Sequence, residues 1–529
     1  MPPTRRLVPR GLVTFGTAND QKITMTNRIS CLLGALLLTF GALFAQQSSD
    51  LDFCATQERT EWMKKYQAGQ ITPVTTKSLN TQYIPLHLVI VGRDDGTGYI
   101  NPVDMLGAIQ LLNTSFAQYD IQFFIDGDVD FVNSSAYYDH SFSVGRQMMS
   151  ENNIRDKMNV YFVDNAAGAC GYYSPGPDAI AMSNGCTSAN NTDFVHEVGH
   201  FFSLDHTFYG WESVGEISEI NLEDRAPATV FYRGEDVAVE KVDGSNCDDA
   251  ADGFCDTTPD YLMERWTCNG AGEYRDSLTD PDSLKFAVPG ANFMSYSLGD
   301  CKGEFSPEQV TAMRTNLASR LRLDENGPSN PVSANGADVN LLLPVNNATV
   351  EFSDFVELVW NTTPNADYYL VQINSSTNFT GTVLDSYITS DTSIIVTENL
   401  VARRRYYWRV RPVNRYSVDS DYSEVYRFRN GEFTVSTMDE TLNAALTVSP
   451  NPVRGGQELR IAGRDLGTGG SLSYQLLDPA GRVLQSREGL TVPATGFTDY
   501  ISTNDMPAGI YFLRLQLDDR QVTRRVVVW

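Results

Sequence analysis

Phe194–His206 reads FVHEVGHFFSLDH and holds three of the chain's five histidines, with a glutamate beside the first. His196 and His200 stand four residues apart, which on an α-helix stacks them one turn above the other on a single face. Two imidazoles so placed reach one zinc ion at about 2.0–2.1 Å. Glu197, beside the first ligand, is the natural general base for a water at that metal. His206 follows six residues after His200, so the helix must end after Phe202 and the chain turn back for a third imidazole to arrive. Three neutral ligands leave a fourth position open, the mark of a catalytic rather than a structural zinc site. The bland alternative is a set of histidines on an ordinary amphipathic helix. With histidine at about one residue in a hundred, chance seldom produces this spacing.

Working outward, the stretch closes a pattern of alternating strands and helices. IPLHLVIV, from Ile84, reads as a buried strand. Asn101-Pro102 opens a helix with Asn as cap and Pro in the first turn, and Val103, Leu106, Ile109, Leu112 and Phe116 supply its apolar stripe. IQFFIDGDVDF and MNVYFVDN read as further strands, and a layered α/β domain ends near Leu321. Before it, residues 46–82 are polar, with a helical patch at Glu58–Tyr66 and no visible strand pattern, which reads as a pro-segment.

After it comes DENGPSNPVSANGAD (324–338), a linker rich in turn residues. VELVW, DYYLVQI, SIIVT, RYYWRVRPV and YRFR then read as short strands of a β-sandwich, with Trp360 and Tyr406-Tyr407-Trp408 as core aromatics. Residues 445–529 form a second β-rich unit. The expected fold class is therefore multidomain: an α/β (α+β) catalytic domain followed by two all-β sandwich domains.

The chain of 529 residues is long enough for several cores, and its net charge of −26 excludes a nucleic-acid binder, which needs a basic face. From Met25, MTNRISCLLGALLLTFGALFAQQ has the positive, apolar and small-residue regions of an export signal ending at Ala45, and the true start is expected at Met25. The apolar run is short for a membrane anchor, and no other segment is long and apolar enough, so no integral membrane segment is expected in the mature form. Export permits disulfides. Once Cys31 leaves with the signal, six of the remaining cysteines lie between 170 and 301, and Cys54 stands apart.

HEVGHFFSLDH resembles the metzincin pattern of zinc peptidases, HExxHxxGxxH, at every position but one. Ser203 stands where that pattern has Gly, at a left-handed helix end that costs another residue roughly 1 kcal/mol. Asn292-Phe293-Met294-Ser295-Tyr296 resembles the family's methionine turn beneath the zinc. NFMSYSLGDCKGEFSPEQ looks like the pappalysin branch, and SNCDDAADGFCDTTPD (245–260) resembles the Cys- and Asp-rich loop of its secreted bacterial members. The resemblance spans roughly residues 50–320.

It implies an α/β metzincin-like catalytic domain with Met294 as a structural floor. Tyr296 would donate to the oxyanion, although a plain core aromatic is the other reading. Pappalysins that cut beside Lys or Arg carry Asp two residues before the methionine-turn cysteine; Gly299 stands there, with Asp300 next. Calcium sites occur in this part of the family, and the dense carboxylates of Asp248, Asp249, Asp252 and Asp256 suit Ca²⁺, with Asp252 and Asp256 the candidate ligands, though a solvated acidic loop fits equally well. The expected disulfides are Cys170–Cys186, Cys247–Cys255 and Cys268–Cys301, among the fifteen pairings six cysteines allow. Phe53-Cys54-Ala55-Thr56 resembles the Cys-Gly-Thr stretch of pappalysin-like pro-segments. That makes Cys54 a soft ligand able to block the zinc and hold the enzyme latent. A carboxylate such as Asp50 or Asp52 is the other way to block it.

Residues 339–434 resemble a fibronectin type III module, a spacer or a binder of polysaccharide or protein; no groove motif separates these, and spacer is the safer reading. Residues 448–529 resemble the type IX secretion sorting domain of Bacteroidetes, through Ser449-Pro450-Asn451-Pro452, Leu477-Asp478-Pro479-Ala480-Gly481-Arg482 and MPAGIYFLRL (506–515). The expected order is a signal peptide (1–45), pro-segment (46–82), zinc peptidase domain (83–322), linker (323–338), fibronectin-like domain (339–434) and sorting domain (445–529). The function expected is a secreted or surface zinc endopeptidase acting on proteins or peptides, with the type IX machinery as its other partner. Two rivals remain: a surface adhesion protein with a degenerate peptidase domain, and a thermolysin-type peptidase with a downstream Glu as third ligand.

Overall fold

The computed structural model describes residues 52–529 apart from 57–58, 75–80, 214–223, 321–322, 324–326, 329–330, 351–354, 380–384, 398, 432–439, 452, 465, 467–469, 478–482, 505, 508, 519 and 529. The export signal (1–45), Asp50, the side chain of Asp52 and the sorting-domain turn at 478–482 lie outside the described residues.

One mixed sheet organises the first half. Its strands are β1 (Asp52–Cys54), β2 (Gln82–Gly92), β3 (Ile121–Ile125), β4 (Asp130–Asn133), β5 (Asp139–His140), β6 (Met158–Val163), β7 (Asn165–Ala166), β8 (Ala169–Ser174) and β9 (Ala179–Ser183). They run in the order β3-β2-β6-β9-β8-β7-β5, with β4 also on β2 and β1 also on β8. The apolar run in β2 demands cover on both faces, and β2 is buried along nearly all its length. β2, β3, β6 and β9 are mutually parallel, whereas β8 runs antiparallel to β9. β1 is the surprise of the polar N-terminal stretch. Three residues carry no readable period, and the strand exists because it pairs in parallel with β8, Asp52 opposite Ala169 and Cys54 opposite Gly171.

The helices are α1 (Glu61–Gln67), α2 (Pro102–Ala117), α3 (Ser135–Tyr138), α4 (Phe142–Asn152), α5 (Asp193–Phe201) and α6 (Pro307–Ser319). α2 starts as its sequence demands: the Asn101 side chain accepts from the Val103 amide and Pro102 fills the first turn. α6 opens with a reciprocal capping box between Ser306 and Gln309. Leu106, Ile109, Leu112 and Phe116 of α2, Val195 and Val198 of α5 and Met313 and Leu317 of α6 share one core with the sheet. Met63 of α1 is fully buried in the same core, so the N-terminal segment packs onto the domain that follows it.

The remaining chain is β-structure apart from short helical turns such as Glu440–Ala445. Strands Leu341–Leu343, Val356–Trp360 and Ser393–Val396 form one sheet. Ala348–Thr349, Tyr426–Arg429, Arg405–Val413, Tyr368–Asn374 and Asp385–Thr389 form the facing one. Trp360, Tyr406 and Trp408 are buried between them, but Tyr407 is not. Strand alternation sends it to the opposite face, which corrects its expected core placement. The outer face of this sheet contributes Tyr368, Leu370 and Val413 to the core of the first half. The Ile125 amide donates to the Arg415 carbonyl at 3.0 Å across that junction. Residues 446–528 build two further sheets around a separate core that includes Leu459, Leu472, Leu513 and Val526. No helix among the described residues is long and apolar enough to cross a membrane.

Candidate metal centre

α5 carries His196 and His200 on its inner face and stops at Phe202. The next residue, Ser203, has φ +73°. Its amide donates to the His200 carbonyl at 2.8 Å, and the Leu204 amide donates to Gly199 at 3.0 Å. This left-handed turn reverses the chain and delivers His206 to its partners. Asn316 of α6 holds the Ser203 hydroxyl at 3.0 Å, which compensates for the missing glycine.

The Nε2 atom of His200 lies 3.1 Å from that of His196 and 3.1 Å from that of His206. Nδ1 of His196 faces the Phe293 carbonyl at 2.7 Å, and Nδ1 of His200 faces the Leu204 carbonyl at 2.8 Å. A carbonyl only accepts, so both protons sit on Nδ1 and both Nε2 atoms present lone pairs. Nδ1 of His206 meets Oε1 of Glu212 at 3.0 Å. Burial holds all three rings neutral, pushing His206 down to about 3 and the other two well below their usual range. The Glu212 contact is therefore a hydrogen bond to a neutral ring rather than an ion pair. Ionised, Glu212 can only accept, which puts the His206 proton on Nδ1 as well, and three converging lone pairs then repel unless a cation lies among them.

Cys54 joins them. Its sulfur and one nitrogen of each histidine all lie within 4.8 Å of one another. Three imidazoles and a thiol make a nitrogen–sulfur donor set suited to tetrahedral Zn²⁺. The other two histidines are structural. His87 is bonded to Asn159 at 2.7 Å and Asp130 at 2.9 Å, and His140 to the Tyr137 carbonyl at 2.6 Å and the Tyr172 hydroxyl at 2.9 Å.

Glu197 is fully buried beside this centre. Its Oε2 accepts from the Thr56 hydroxyl at 3.1 Å, and its Oε1 has no hydrogen-bond partner. Burial is the main reason its carboxyl is pushed up to about 8. Gly171 of β8 makes room for it: a Cβ there would fall 2.9 Å from Glu197 Cγ. Met294 is fully buried, and its sulfur fills the space a Cβ on Gly199 would need, so the methionine sits directly under α5. The Tyr296 ring lies 4.9 Å from His206 and 5.9 Å from His196, and its hydroxyl donates to the Cys54 carbonyl at 3.4 Å. It thus already binds a carbonyl of the chain lying in the cleft.

That chain is the N-terminal segment. The Ala55 amide donates to the Gly171 carbonyl at 3.0 Å, and the Tyr173 amide to the Thr56 hydroxyl at 2.9 Å. Arg59 forms a buried ion pair with Asp205 at 2.6 Å, donates to the Ala251 carbonyl at 2.7 Å, and lies 3.8 Å over the Tyr209 ring. Asp205 directly precedes His206, so the segment is tied to the turn that carries His206 as well as to β8.

The disulfides are Cys170–Cys186, Cys247–Cys255 and Cys268–Cys301, with Cα separations of 5.3, 4.9 and 5.9 Å. In the acidic loop Asp248, Asp249 and Asp256 are exposed, and Asp256 accepts from the Glu308 amide in the first turn of α6 at 2.8 Å. Asp252 is fully buried. Its Oδ1 accepts from Phe254 and Thr257, and its Oδ2 has no hydrogen-bond partner. Glu240, also buried, likewise has an Oε2 without a hydrogen-bond partner. Burial and then the charge of Asp252 push Glu240 up to about 9, and burial pushes Asp252 up to about 8.

Sequence reasoning missed Glu240, Glu212 and Asp260. Buried Asp260 accepts from Thr207 at 2.8 Å and Ser295 at 3.0 Å, joining the turn after His206 to the methionine turn. No local spacing could have flagged them, because their partners are distant in sequence or lie beyond any helical period.

Residues 447–529 match the family described as the secretion system C-terminal sorting domain. About half of the chain aligns with extracellular metalloproteases of fungi. One from Podospora anserina is 24% identical over 286 residues, covering 49% of this chain and 82% of that protein. One from Colletotrichum graminicola is 25% identical over 292 residues, covering 49% and 87%. Metalloproteinase-II from Bacteroides fragilis is a solved structure with 16% identity, covering 26% of this chain and 46% of that one. Its TM-score is 0.19, too low to bear on the fold. The chain is related to extracellular metalloproteases, and its sorting domain directs it to the outside of the cell or its surface by type IX secretion.

Proposed function

We propose that this chain is the latent form of a secreted zinc endopeptidase of the pappalysin-like metzincin kind. The observation that carries this reading is the set of three bare Nε2 lone pairs meeting beside a buried glutamate. His196, His200 and His206 hold the zinc, which supplies Lewis acidity for activating water and polarising a carbonyl. Glu197 takes the proton of the attacking water and returns it to the leaving amine. The Tyr296 hydroxyl donates to the oxygen that becomes negative as the peptide carbonyl turns tetrahedral. Met294 supports the helix from below.

The pro-segment, residues 46–82, keeps this machinery idle. Cys54 would add its sulfur to the three imidazoles that hold the metal, and β1 occupies the stretch of β8 that an extended protein substrate would use. Activation removes the segment and frees both together. Residues 83–322 form the peptidase domain, 323–338 a linker, 339–434 a fibronectin type III-like brace and 445–529 the sorting domain. Glu240 and Asp252 are the better candidates for Ca²⁺ than Asp256, since their buried oxygens need a cation or a proton.

The test is zinc content together with casein digestion by the processed protein, with and without 1,10-phenanthroline. One zinc per chain and activity that the chelator removes and Zn²⁺ restores are expected. A processed protein that binds zinc yet cleaves nothing would make the chain a binding protein with an idle site.

A further inference from the structure

Arg405–Val413 and Tyr426–Arg429 are adjacent antiparallel strands of the fibronectin-like module, and their outward residues are nearly all basic. Arg405 lies directly opposite Arg429, and Tyr407 directly opposite Arg427. The inward partners, Tyr406 against Phe428 and Trp408 against Tyr426, face the module's core. Arg409 and Arg411 continue the outward row of the first strand at every second position. Arg405, Arg427 and Arg429 are exposed, while Tyr407, Arg409 and Arg411 are half-buried.

Like charges directly opposite each other destabilise a sheet. Here Arg405 and Arg429 stand so, and neither they nor Arg427 form an ion pair with any described residue. Two arginines of the row are held by uncharged partners. Arg409 is stacked 3.6 Å over the Tyr422 ring and gives both Nε and Nη2 to the Gln372 side-chain oxygen at 2.9 and 2.7 Å. Arg411 reaches the same ring at 5.5 Å. These contacts hold guanidinium groups in place without neutralising them. In a chain of net charge −26, a fixed row of five arginines on one sheet face runs against the overall balance.

We infer that this face binds an acidic polysaccharide at the cell surface to which the chain is delivered. Charge complementarity and the shape of the face support that occupant. The arginines repeat along the strand at about 7 Å and across it at about 5 Å, which offers a linear polyanion a regular set of forked donors. Tyr407 sits among them as a half-exposed ring on which a sugar can lie. A protein partner would need a desolvated apolar or aromatic centre with few charges, whereas the rings here, Tyr407 and the Tyr422 and Phe379 stacked on Arg409, lie amid guanidinium groups.

The test uses the full secreted chain on columns of immobilised polygalacturonate and heparin, with dextran as the neutral control. The parent is expected to be retained on both polyanions and released by salt. The triple variant Arg405→Glu, Arg427→Glu and Arg429→Glu should bind about a hundredfold more weakly. A variant with the same charge change at Arg146, Arg454 and Arg464 should bind like the parent. If the first variant loses its cooperative melt, Arg→Gln changes at the same three positions replace it. Parent in the flow-through, or equal retention of the triple variant, overturns the inference. So does retention by a DNA column or by phosphatidylglycerol vesicles without retention by polygalacturonate.

Discussion

At the histidine centre, three donors come from one helix and the turn that ends it, and every ring has its second nitrogen bonded. In the acidic loop, the carboxylates that crowd the sequence point to solvent or cap α6. The buried oxygens without hydrogen-bond partners belong to Asp252 and to Glu240, which lies outside the dense stretch. Density of like residues in sequence is thus a weak guide to convergence in space, and periodicity on a regular element is a strong one. A helix fixes where residue i+4 points. A loop fixes nothing until its disulfide and neighbours have folded around it.

Four changes would break or sharpen this contrast. The largest effect is expected at the histidine centre. Glu197→Gln in the processed enzyme should lower kcat about 10³-fold while zinc content stays at the parent's value. Activity within a few-fold of the parent would remove Glu197 from its assigned role.

Next comes the acidic site. Ca²⁺ at about 100 times its Kd should stabilise the protein by about 2.7 kcal/mol, read as a rise in Tm of several degrees. The pair Glu240→Gln and Asp252→Asn should abolish that rise without changing zinc content. A parent whose melt ignores Ca²⁺ would leave these carboxylates as proton holders only.

The N-terminal segment supplies the third. Cys54→Ala in the unprocessed chain removes one of several contacts, so Arg59 and Met63 should still hold the segment. Casein hydrolysis should nonetheless rise about tenfold, the effect of roughly 1.4 kcal/mol of lost binding. Undiminished latency in this variant would assign the block to Arg59 and the β1–β8 pairing instead. The smallest change is Ser203→Gly. Relief at φ +73° and loss of the Asn316 contact offset each other, so the melt should shift by less than about 0.5 kcal/mol. A loss of several kcal/mol would show that the hydroxyl, and not the backbone, sets this turn.

Several elements were legible for local reasons. The Asn101-Pro102 start of α2, the period of its apolar stripe and the end of α5 after Phe202 each depend on residues within a turn of one another. The disulfide pairs were legible only through the family resemblance. Other features left no local trace. Tyr407 shares its triplet with two core aromatics and differs only in strand parity. β1 is too short for a pattern, and its strand character comes wholly from β8.

The sequence by itself determined the helix-borne histidines, the glutamate beside them and the reversal that brings the third histidine, because backbone geometry converts those spacings directly into positions. It also determined the sorting domain, whose motifs run in order along the chain. Tertiary structure decided which nitrogen of each ring is bare, through carbonyls at 293 and 204 and the carboxylate of Glu212. It decided that Cys54 meets those nitrogens, and that Glu240 rather than Asp256 faces the interior beside Asp252. Each of these depends on groups brought together only when the sheet, the methionine turn and the N-terminal segment pack. Proton position and burial are properties of that packed environment, not of the spacing of residues along a chain.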